Sequence, residues 1–208
     1  MHEPLTPNAQ RLTPRMDPDR VAYFEAAGWR AYYERAWARL LRLTVGLCQE
    51  QFGIPFPISL RAAYYVVRAS AAWAPVEHDD RAAHRYLERF YRLARRYAGL
   101  DFDPARVGAL ELQYFDVHRR QSGQPDKTEF VRTLTELHGA LFGLSADEAR
   151  ESAEWRVLAA NRVDLITSGT SLDVEGDWAR LEEDLRCCYR SITDALVARR
   201  DGGMTNDE

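Results

Sequence analysis

Apolar residues recur along this chain at helical spacing in almost every segment, and no stretch alternates apolar and polar in the manner of a strand. The first long line is Tyr33, Trp37, Leu40, Thr44, Leu47 and Gln51. Asp17 or Asp19 caps its start with Pro18 in the first turn, Gly28 is expected to split off a short leading helix, and Phe52-Gly53 stops it. Ser59 to Trp73 is apolar nearly all round, with only Arg61 and Arg68 charged, which predicts a central helix. A further helix runs from Val76 or so to Tyr97, with Ala83, Tyr86, Leu87, Phe90 and Leu93 turned inward.

Asp103-Pro104 opens the next helix, to Gln121. Asp126 with Glu129, and Ser145 with Glu148, have the spacing of capping boxes ahead of two more. The first of these buries Phe130, Leu134, Leu137 and Leu141. The second runs to Thr167 with Trp155, Leu158, Ala159 and Ile166 on its apolar side. A last helix, Asp177 to Arg199, has the heptad-like series Trp178, Leu181, Leu185, Cys188 and Ile192. These segments predict an all-α fold, a single-domain bundle of six or seven helices over residues 17–200. A flexible arm (1–16) and a polar, disordered tail (201–208) are expected to flank it.

Bulk properties narrow the partners. Hydrophobic residues make up 46% and charged residues 29%, an ordinary globular balance, and the formal charge is −4 with a pI near 5.8. There is no overall basic character, so no nucleic acid is expected as main partner, and without a long uncharged apolar run no membrane either. Cys48, Cys187 and Cys188 lack metal-type spacing and point to reduced thiols and a cytoplasmic location.

The chemistry is expected on the inner faces of the later helices. On Val107 to Gln121, Glu111, Tyr114 and His118 lie on or near the apolar line, and on the next helix His138 also turns inward. Arg162 falls amid apolar residues and needs a partner, either Glu111 in a buried ion pair or a substrate carboxylate. Glu111, Tyr114, His118 and His138 are therefore the candidate catalytic residues. Arg162, with Tyr64 and Trp73 from the aromatic-rich second helix, is the candidate substrate contact. If the helices pack suitably, Glu111, His118 and His138 would ligate iron or another divalent transition metal. Glu111 and His118 are about 10.5 Å apart along a straight helix and cannot do so alone. No Glu-x-x-His pair, P-loop or nucleophile elbow is present.

Two functional readings follow. One is a small-molecule-binding protein or enzyme with a buried polar site, in its most concrete form a metal-dependent oxidase or oxygenase. The other is a non-catalytic interaction protein that docks a partner protein, or a second copy as a homodimer, through its last helix and Trp37.

Overall fold

The computed structural model describes residues 16–203, so 1–15 of the expected arm and 204–208 of the expected tail lie outside the described residues, while Met16 is buried in the core and Asp201 to Gly203 continue the last helix instead of a disordered tail. Eight α-helices follow one another: α1 (Pro18–Tyr33), α2 (Trp37–Phe52), α3 (Ile58–Trp73), α4 (Asp80–Ala98), α5 (Pro104–Gln121), α6 (Thr128–Phe142), α7 (Ala146–Thr167) and α8 (Val174–Gly203). Each packs on the next along the chain, α8 returns to lie against α1, and α2 also touches α4. The eight helices thus close into a ring. Phe130 and Leu134 on α6, Val107 and Val117 on α5, and Leu181, Leu185 and Ile192 on α8 are among its fully buried side chains.

Local chemistry sets most boundaries. Asp17 and Asp103 accept from backbone N–H groups two residues on, each followed by a proline in the first turn. Ser145 and Glu148 form the expected capping box at α7, and Gly143, at φ 72°, supplies the left-handed residue that ends α6. At Asp126 the expected box does not form. Its carboxylate takes the Thr128 N–H and hydroxyl, while Glu129 turns back to Arg120 and Gln121 on α5.

Three expectations are corrected. The count is eight, because the break after the first helix falls at Arg35 (φ 56°) and Ala36, leaving Tyr33 and Trp37 on different helices; Gly28 stays helical. The apolar α3 is peripheral, touching α2 and α4, and buries only Ser59, Ala62, Ala63 and Ala69. Ala62, Ala63 and Ala69 face in, while Leu60, Tyr64 and Ala71 face solvent. On α7 the buried residues are Ala149, Ser152, Ala153, Val157, Ala159, Ala160 and Val163, and Leu158 is exposed. Trp155, Ala159 and Ile166 pack into or against the core as expected, and the correction is that Val157, Ala160 and Val163 share that face in place of Leu158.

Candidate functional site

Arg156 joins α7 to the other walls of the ring. Both of its terminal nitrogens bond Glu25 of α1, at 2.9 and 2.5 Å, and the Tyr189 hydroxyl of α8 donates to the same carboxylate at 2.5 Å. The guanidinium lies between the rings of Trp29 (5.5 Å) and Tyr114 (5.6 Å). Burial works against the Arg156 cation, but the opposing Glu25 charge and the surrounding phenols raise its pKa well above the usual arginine value, so it stays charged. Burial, then Glu25, lifts the Tyr189 phenol well above its ordinary range.

Glu111 of α5 accepts from the Tyr91 hydroxyl of α4 at 3.2 Å. It keeps partial solvent access, yet burial is the chief cause raising its carboxyl pKa, against the opposing pull of Arg156. A carboxyl so enclosed holds its proton to higher pH than an ordinary glutamate.

One turn along α5, Tyr114 stacks on His118, with ring centroids 6.1 Å apart and planes 9° from parallel, and Phe130 of α6 stacks against both. His118 Nε2 lies 3.1 Å from Asp164 Oδ1 of α7. If Nε2 donates to this carboxylate, Nδ1 is left as the acceptor, the arrangement of an imidazole oriented for base chemistry. The other Asp164 oxygen, Oδ2, is buried without a hydrogen-bond partner among the described residues. Nearby, the Tyr33 phenol is raised to about 12, by partial enclosure of its hydroxyl first and then by Tyr32 and Asp164, although the side chain as a whole is 46% exposed. A polar column thus follows α5 from Tyr91 and Glu111, past Tyr114 and Arg156, to His118 and Asp164.

His138 belongs to a separate pair. Its Nδ1 is 2.7 Å from Ser152 Oγ, whose hydroxyl hydrogen goes to the Ala149 carbonyl at 2.8 Å. Ser152 must therefore accept, and the imidazole is the neutral tautomer protonated on Nδ1. Burial and Arg156 press its pKa down to about 3. Glu111, His118 and His138 do not meet: each has its own partner, and among the described residues no three His, Cys, Asp or Glu side chains gather so as to hold a metal ion.

The candidate substrate contacts also lie apart. Arg162 pairs through Nε with Asp184 of α8, not with Glu111. Tyr64 is on the outer face of α3. Trp73 donates to Asp116 at 2.7 Å beneath the Arg119 guanidinium, 3.5 Å from its ring. The sequence reading brought out Glu111, Tyr114 and His118 but missed Arg156, Glu25, Tyr189 and Asp164. Arg156 sits three and four residues from Ala153, Ser152 and Ala160, and Glu25 sits likewise from Ala22 and Val21. Following the small residues rather than the large ones would have found both.

No known protein family, curated protein or solved structure matches this chain. Its site therefore has to be read from its own geometry. Among the described residues no helix is long and apolar enough to cross a membrane. All three cysteines are free, and burial holds the Cys48 and Cys188 thiols up at about 12, where they are not nucleophiles.

Proposed function

We propose that this protein binds a small molecule in the polar column along α5, and that its enzymatic form is acid–base chemistry. The observation that carries the reading is Glu111, a partly wetted carboxyl with a raised pKa, set against the Tyr91 hydroxyl in the field of Arg156. A carboxyl whose enclosure favours the protonated form is a donor to a bound acceptor. At the other end of the column, His118 held by Asp164 is the complementary base. Arg156 and the rings of Trp29 and Tyr114 form the wall between them.

The metal-dependent oxidase version, with iron or another divalent ion, asks Glu111, His118 and His138 to converge, and their separate partners give it no geometric support. Native mass spectrometry of freshly purified protein, paired with elemental analysis, tests both forms at once. A retained organic molecule that is lost in Glu111→Gln supports the column. Stoichiometric metal with no organic ligand would replace this reading with the metal-dependent one.

The interaction reading keeps one observation of its own. Trp37 is 58% exposed and packs edge-on with Tyr32, beside exposed Tyr33 and Leu41, at the α1–α2 corner. The heptad-like series of α8 is no part of such a surface, because Trp178, Leu181, Leu185, Cys188 and Ile192 are buried. A dimer seen in light scattering that Trp37→Ala dissociates would favour this reading.

A further inference from the structure

Away from the column, the outward face of α4 carries a line of arginines. Arg81, Arg85, Arg89, Arg92 and Arg96 are all exposed and follow one another every three or four residues. At 100° per residue they fall within about 80° of arc, opposite the side that buries Ala83, Leu87 and Phe90. Their spacing along the axis is about 4.5 to 6 Å, and the line is about 22 Å long. Arg92 pairs with Glu88, while Arg81, Arg85, Arg89 and Arg96 form no ion pair among the described residues. That is unexpected in a chain with 32 acidic and 28 basic residues.

Tyrosines lie beside the guanidinium groups. Arg68 of α3 stands 5.3 Å from the Tyr86 ring and 5.9 Å from that of Tyr64, and Arg89 stands 5.9 Å from Tyr86. Tyr64 and Tyr86 meet edge-on at 6.4 Å, and Tyr64 remains 47% exposed.

We propose that this α3–α4 face binds single-stranded nucleic acid, with the arginine line following successive phosphates and Tyr64 offering a ring on which a base stacks. Guanidinium groups pair bidentately with phosphate oxygens, and a row of them with aromatic rings alongside is the general means of holding a strand without reading its sequence. The arginine line itself carries no large apolar side chain, unlike a helix that settles into a membrane surface.

The test is fluorescence anisotropy with a labelled oligothymidylate about 20 nucleotides long. With about four phosphates neutralised, affinity is expected to fall roughly 50-fold between about 50 and about 200 mM salt. Reversal of Arg81, Arg85 and Arg89 to Glu should weaken binding by more than about tenfold, and Tyr64→Ala by about tenfold. Reversal of Arg42, Arg132 and Arg200, exposed positions on other helices, should leave it unchanged. Circular dichroism checks that each variant is folded. No binding at the lower salt, equal loss in the control reversal, duplex bound as tightly as the single strand, or capture by phosphatidylserine vesicles in place of the oligonucleotide would each overturn the proposal.

Discussion

At the level of single residues, the consequences of the polar interior are sharpest at Glu25. Its side chain is 7% exposed and that of Arg156 11%, so removing the carboxylate strands a buried cation. Glu25→Ala is expected to cost about 3 to 5 kcal/mol in urea denaturation, far more than a surface pair would. His138 gives the protein an acid limb. Its unfolded imidazole takes up a proton near pH 6.5, and the folded one does so only near 3. Between those values the unfolded chain binds more protons, so stability is lost as the pH drops, by at most about 1.4 kcal/mol per unit. His138→Gln, measured by thermal melts across that window, should flatten the slope. Glu111 acts in the opposite sense. Its raised folded pKa favours the fold below about 4.5 and loses that benefit as pH rises through the folded value. Glu111→Gln should therefore raise the melting temperature at neutral pH while abolishing ligand retention.

Helices were the most legible part of the sequence, and the reasons are local. The stops at Phe52-Gly53 and Gly143, the starts at Asp103-Pro104 and Ser145, and the buried line of α6 all follow from nearest-neighbour chemistry. The Arg35–Ala36 break was hidden, because nothing in Tyr33 to Trp37 is a strong helix breaker and the apolar period carries straight across it. Faces built from alanine were misread for the same physical reason on α3 and α7: a small side chain marks close helix contact but adds little to a hydrophobic pattern. Gly108 is the extreme of this. A β-carbon there would sit 3.2 Å from Glu88 N and 3.4 Å from Leu87 Cβ, so glycine sets how closely α5 approaches α4. Gly108→Leu should cost about 1 to 3 kcal/mol and weaken the Tyr91–Glu111 contact, visible as a raised Glu111 pKa in NMR titration, because the Tyr91 hydroxyl favours the charged carboxylate. The column itself could not be read from any one helix. His118 meets Asp164 across 46 residues and Arg156 meets Glu25 across 131, pairings that exist only once the ring has formed.

For the molecule as a whole, α8 is the closing member, packed on both α7 and α1 and tied to α1 by Arg186 and Arg190 at Asp19 and by Glu175 at Arg30. A core change there should be felt everywhere. Leu185→Ala is expected to cost about 2 to 5 kcal/mol and to move tryptophan-fluorescence and circular-dichroism transitions together, as for one cooperative unit. Charge, in contrast, is not shared evenly. Six arginines stand against Asp80 and Glu88 within α4, so the remainder of the chain is considerably more acidic than its total of −4 implies. Positive charge is concentrated along the outward face of one helix, between acidic residues at its two ends. Despite a pI near 5.8, it should be retained on a sulfopropyl resin in dilute neutral buffer, held in one orientation by a single side of its surface.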